Sequence, residues 1–150
     1  MSGTKEIIIE KSAELFNEVV KLRRHFHKHP ELSYQETETS LYIRNWLKEN
    51  DIEFRSGIAG TGIIASIKGK RKGEKVIAVR AEMDALPITE KNSFSFASIN
   101  NGRMHACGHD AHMAMLLGSA KLLKSLKEQF GGTILLIFQP GEEKSPGGAS

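Results

Sequence analysis

Half of the chain's six histidines and its only cysteine fall within eight consecutive positions of the segment Gly102–Met115, G-R-M-H-A-C-G-H-D-A-H-M-A-M. His105, Cys107, His109 and His112 are gathered there with Asp110. Thiolate, imidazole and carboxylate are the side chains that bind borderline-soft divalent ions such as zinc and manganese. Taken singly, each has a plainer reading. A lone cysteine is usually a small buried hydrophobe, and a helical histidine a hydrogen-bonded structural group. As a cluster the set favours metal binding, although its spacing is not that of a zinc finger, whose ligands come in pairs on two separated knuckles.

Two further groups carry carboxylates. The run G-T-I-L-L-I-F-Q over Gly132–Gln139 leads straight into Pro140-Gly141-Glu142-Glu143. A charged pair outside the carboxyl end of a buried strand is where ligand sites of open α/β sheets lie. Adjacent side chains diverge in extended backbone, so one carboxylate can hold a metal while its neighbour faces substrate. Exposed Glu-Glu pairs are also commonplace, and Lys144 can neutralise one; beside the cysteine–histidine cluster the functional reading is favoured. Glu82 and Asp84, two apart at the end of another strand, point the same way, which alone also fits a solvated strand end. His25, His27 and His29 sit at a helix C-terminus, where positive or polar groups suit the dipole. Residues two apart do not share a helix face, so this group is read as structural.

The elements that must hold these groups follow from periodicity. Leu15, Phe16, Val19, Leu22 and Phe26 predict an amphipathic helix over Ser12–His29, stopped by Pro30. A second is expected over Glu36–Glu49, with Leu41, Ile43, Trp46 and Leu47 as its apolar set. Strands are expected at Glu53–Ser56, Gly62–Lys68 and Lys75–Ala81, the last two joined through Gly69–Glu74 as an antiparallel hairpin. Gly132–Gln139 reads as a fully buried strand. Met113, Leu116, Leu117, Ala120 and Leu123 predict a helix running from the cysteine cluster to about Lys127, with Asp110 as its N-cap. Cys107 then lies at a helix N-terminus, where free N–H groups and the dipole should ease its ionisation.

Composition narrows the function classes. A chain of 150 residues suffices for one domain with a core. Its net charge of +3 is scattered, apart from Lys68, Lys70, Arg71 and Lys72, and no aromatics interleave there, so a nucleic-acid footprint is not expected. One cysteine rules out an internal disulfide framework and suits a reducing compartment. The apolar run Ile7-Ile8-Ile9 is too short for a signal peptide or a membrane span. The expectation is a cytoplasmic protein that uses neither membrane nor nucleic acid.

The segments R-R-H-F-H-K-H-P-E-L-S-Y-Q-E, R-A-E-M-D-A-L-P-I-T-E, G-R-M-H-A-C-G-H-D-A-H-M-A-M-L-L-G and F-Q-P-G-E-E-K-S-P-G-G-A together resemble one family. It is the amidohydrolase branch of the aminoacylase/carboxypeptidase-G metallopeptidases, which includes N-acyl-amino-acid amidohydrolases, hippurate hydrolases and hydrolases of indole-acetic acid conjugates. The likeness covers nearly the whole chain. It implies a three-layer α/β/α sandwich with a mixed sheet, and a site for two divalent metal ions, Mn or Zn. In that site Cys107 would be the bridging ligand, His109 a ligand to one ion, Glu143 a metal ligand and Glu142 the general base. Asp84 would support the site from behind its ligands. Glu82 stands where this branch more often has Asp; Asp110 and His112 lie inside the motif without an assigned role. The substrate would be an N-acyl amino acid, cleaved by activated water. Lowering the pKa of water from 15.7 to about 7 corresponds to roughly 12 kcal/mol of hydroxide stabilisation.

Relatives in that branch are more than twice as long, homo-oligomeric, and carry an inserted dimerisation domain. The resemblance therefore implies that residues 1–150 are the N-terminal part of a truncated catalytic domain, inactive alone. Two other classes stand beside it: a cysteine hydrolase using Cys107 with a nearby histidine, and a non-catalytic metal-binding or interaction module.

Overall fold

The computed structural model describes residues 3–149. Three helices and four strands follow in the order α1 (Thr4–Lys28), α2 (Thr37–Glu49), β1 (Glu53–Ile58), β2 (Gly62–Lys68), β3 (Arg71–Glu82), α3 (His109–Ser125) and β4 (Gly131–Gln139). The expected elements are all present. The first helix is longer at its start, where the Gly3 N–H donates to the Glu6 carboxylate, and β3 is longer at both ends.

The strands form one mixed sheet in the order β1-β2-β4-β3. β1 and β4 both run antiparallel to β2, whereas β3 is parallel to β4. This corrects the expected β2–β3 hairpin. The turn after β2 does not bring β3 back beside it, because β4 occupies that place, pairing Ile63 with Phe138 on one side and Ala81 with Phe138 on the other. β3, α3 and β4 are instead a crossover unit, the connection that parallel strands require. Its consequence for the site is direct. Glu82 lies opposite Gln139, so the segments that follow β3 and β4 leave the sheet at the same end.

One face of the sheet carries Ile63, Ala65, Ile67, Leu136 and Phe138, all buried. They form a single core with Ile43 and Leu47 of α2, Met113 and Leu117 of α3, and Leu22 and Phe26 of α1. On the opposite face Ile64, Leu135 and Ile137 are only half-buried and Val76 is 62% exposed. The described residues thus supply two of the three expected layers. That is also why β4 is not the fully buried strand its composition suggested. Phe16, expected in the core face of α1, is exposed. Leu117 is fully buried at the centre of α3, so Leu117→Ala is expected to cost about 2–5 kcal/mol in denaturant unfolding.

Candidate metal centre

Two loops and one helix start build the site. Gly108 precedes α3 at φ 84°, the left-handed region that glycine enters without strain. Its conformation turns the chain so that Cys107 stays outside the helix, exposed, and His109 begins it, buried. On the other side Gly141 turns at φ 61° with the Tyr34 ring against it; a Cβ there would meet Tyr34 Cε1 at 2.6 Å. The Gly141 N–H donates to Oε1 of the fully buried Glu36 at 2.8 Å. Glu36 Oε2 in turn accepts from Thr61 Oγ1 at 2.8 Å. Glu142 and Glu143 follow in a turn, so they do not diverge as neighbours on a strand would.

Asp84 ties the parts together. It is fully buried. Its Oδ2 accepts from Ser33 Oγ at 2.7 Å and from the Glu143 N–H at 2.8 Å, and its carbonyl oxygen pairs with His109 Nδ1 at 2.8 Å. Burial alone would raise the Asp84 pKa; hydrogen bonds from His109, Ser33 and the Glu143 and Glu142 N–H groups outweigh it and hold the carboxyl well below its ordinary range. Burial likewise opposes protonation of His109, but its bonds to Asp84 prevail and raise its pKa. With Nδ1 committed to Asp84, His109 presents Nε2, 3.9 Å from both Glu142 Oε2 and Glu143 Oε1.

One donor atom each from Cys107, His109 and Glu143 lies within 4.8 Å of the others. Sulfur, imidazole nitrogen and carboxylate oxygen are the zinc-type donor set. Glu143 Oε1 is buried with no hydrogen-bond partner among the described residues, an atom that a cation satisfies. The residues present therefore fit a divalent ion. The expectation that Cys107 ionises easily is reversed: its hydrogen bond to Glu143, together with the charges of Glu143, Glu142 and Asp84, raises its pKa. Carboxylates crowding the thiol outweigh the helix N-terminus.

Asp110 is not the N-cap; Gly108 holds that position. Asp110 is fully buried and fastens the start of α3 to α1, accepting from Arg23 Nε at 2.9 Å and pairing with His27 Nδ1 at 2.7 Å. His27 Nε2 pairs with Glu90 Oε1 at 3.0 Å, which gives that histidine the structural role expected of its group. Glu82 parts from Asp84: its Oε2 pairs with His112 Nδ1 at 2.8 Å and its Oε1 accepts from Arg80 Nη2 at 2.5 Å. Ser33 and Glu36, which position Asp84 and the Glu142 turn, escaped the sequence reading. Both lie in the P-E-L-S-Y-Q-E stretch, and only the resemblance pointed to it.

His105 is 4% exposed, and neither ring nitrogen has a hydrogen-bond partner among the described residues. Burial pushes its pKa down to about 4 from 6.5. A folded pKa below the unfolded one means that the unfolded chain binds the extra proton between these values. Stability is then intact above pH 6.5 and falls as the pH drops toward 4, by about 3 kcal/mol. Denaturant melts of the metal-free chain should show that slope, and His105→Gln should flatten it.

Comparison with known proteins places this geometry. The profile of peptidase family M20/M25/M40 matches residues 78–150. The chain is 47% identical over 146 residues to an N-acyl-L-amino acid amidohydrolase of Geobacillus stearothermophilus, covering 97% of this chain and 39% of that protein. A crystal structure of an aminohydrolase from methicillin-resistant Staphylococcus aureus superposes with a TM-score of 0.92 at 43% identity, covering 96% of this chain and 38% of the other. The Bacillus subtilis YXEP protein, named a dinuclear metal binding peptidase of the M20 family, superposes with a TM-score of 0.84 at 47% identity over 90% and 38% of the two chains. The chain thus spans under two-fifths of the length of the relatives it matches. Residues 78–150 thus match the profile of peptidase family M20/M25/M40, and nearly the whole chain is similar in sequence and fold to proteins named as amidohydrolases and as an M20 peptidase.

Proposed function

We propose that this chain is the N-terminal part of the catalytic domain of a metal-dependent amidohydrolase that cleaves the amide bond of N-acyl amino acids. The observation that carries the reading is the convergence of Cys107, His109 and Glu143, with Glu142 beside them. In the reading, Cys107, His109 and Glu143 would hold ions of a two-metal centre, Mn or Zn. A divalent ion there polarises the scissile carbonyl and acidifies water. Asp84 keeps the His109 Nε2 lone pair aimed into the site and, through the Glu143 N–H, keeps the Glu142–Glu143 turn against it. Glu142 takes a proton from the attacking water as the new C–O bond forms, and returns it to the nitrogen as the C–N bond breaks. Its side chain is 39% exposed, open to substrate and water alike.

The amino-acid substrate class follows the relative's name, and the two-metal count follows the YXEP description. No helix among the described residues is long and apolar enough to cross a membrane. The single cysteine suits a reducing compartment, and the reading takes the protein as a cytoplasmic enzyme acting on a small molecule, with neither nucleic acid nor membrane as partner. The test is hydrolysis of N-acetyl amino acids by the protein carrying these residues. Activity lost on chelation and regained with Mn²⁺ or Zn²⁺ supports the reading. Activity that persists in chelator with reductant supports the cysteine hydrolase instead, and metal uptake with no hydrolysis supports a binding module.

A further inference from the structure

We propose that Glu82, His109 and His112 form a second divalent-cation site that shares His109 with the cysteine-containing one and has no thiolate of its own. One donor atom from each of the three lies within 4.8 Å of the others. His109 and His112, three apart on α3, share a helix face, and their ring centroids are 5.8 Å apart. Glu82 reaches them from the end of β3. It is held there because its Oε1 accepts from Arg80, whose Nη1 donates to Gln139 Oε1 at 2.8 Å. The other carboxylate oxygen faces His112 Nδ1 at 2.8 Å. An ion bound there takes the place of the hydrogen between them; in the neutral imidazole that proton moves to Nε2, which frees the Nδ1 lone pair for the ion.

Bonds of about 2.0–2.2 Å put tetrahedral donors about 3.4 Å apart, so Glu82 Oε2 and His112 Nδ1, 2.8 Å apart, open slightly to admit an ion while the His109 donor, within 4.8 Å of both, draws in. The His112 side chain is 46% exposed and can move. Two imidazoles and one carboxylate suit nickel, cobalt or zinc. His109 Nδ1 is committed to Asp84, so its single Nε2 lone pair serves one ion at a time. The two sites are therefore alternatives: an ion in one denies His109 to the other. This inference goes beyond amide hydrolysis and holds whether or not the protein is an amidohydrolase.

The test removes the thiolate. The purified chain carrying Cys107→Ser is titrated with Ni²⁺ and followed by calorimetry, with and without a second change, His112→Ala or Glu82→Gln. The expected result is one ion bound by Cys107→Ser, with affinity at least tenfold weaker once His112→Ala is added, and weakened again by Glu82→Gln in its place. His29→Ala, remote from the cluster, serves as the control and leaves the affinity unchanged. Loss of all Ni²⁺ binding in Cys107→Ser would overturn the second site while leaving the proposed hydrolytic site untouched. Equal affinities of Cys107→Ser with and without His112→Ala would also overturn it.

Discussion

Under the proposed function, Glu142→Gln is expected to lower kcat for hydrolysis of an N-acyl amino acid by about 10²–10⁴-fold, the range that a positioned general base supplies. The substitution keeps the side chain's shape and removes only its capacity to take a proton. Glu142 Oε2 stands 3.9 Å from His109 Nε2, close enough to meet a water in the centre. Its neighbour Glu143, rather than Glu142, belongs to the converging donor set. Metal content, measured by elemental analysis, should therefore stay that of the unaltered protein, and KM should change little. Hydrolysis unchanged in Glu142→Gln removes Glu142 as the base. Loss of metal along with activity makes it a ligand instead.

Asp84→Ala is expected to weaken metal binding by about 10–100-fold, the usual consequence of removing a group that orients a metal-ligating histidine. Asp84 acts through both of its neighbours. Its carbonyl fixes the His109 ring, and its carboxylate anchors the Glu143 N–H and the Ser33 hydroxyl. The carbonyl survives in alanine, so His109 keeps one restraint while the Glu143 turn loses its own. Leaving those donors unsatisfied in a buried place costs about 1–3 kcal/mol each, so the melting temperature should fall as well. Ser33→Ala removes one of the same bonds without touching Glu143, and should lower stability while leaving metal affinity nearly intact. Calorimetric titration of both variants with Zn²⁺ separates the two effects. Equal metal affinity in Asp84→Ala and the unaltered chain would contradict the role given to Asp84.

Much of this is legible in the amino-acid sequence alone. Local periodicity located each helix and strand, because amphipathic α1, α2 and α3 bury one face each. The cysteine, histidine and glutamate types named the chemistry, because few residues bind metals. Pairing was not legible. The β2–β3 turn looks like a hairpin to any local rule, and only the long-range insertion of β4 between the strands decides otherwise. That insertion is also what brings Asp84 and Glu143 together, 59 residues apart in sequence. Side-chain environment was illegible for the same reason. The helix dipole favoured a thiolate at Cys107, but Glu143, Glu142 and Asp84 arrive from other loops and reverse the sign. Asp110 has the composition of a cap, yet Arg23 and His27 of α1 claim it. Glu36 and Ser33 carry no periodic signal, since each is defined by distant partners: Gly141 and Thr61 for Glu36, Asp84 for Ser33.

The central claim is that Cys107, His109 and Glu143 bind one ion together. X-ray absorption at the zinc edge of the chain loaded with one equivalent of Zn²⁺ tests it most directly. The account requires one sulfur neighbour at about 2.3 Å with nitrogen and oxygen neighbours at about 2.0–2.2 Å, the sulfur vanishing in Cys107→Ser. A first shell of nitrogen and oxygen alone in the unaltered chain would contradict it.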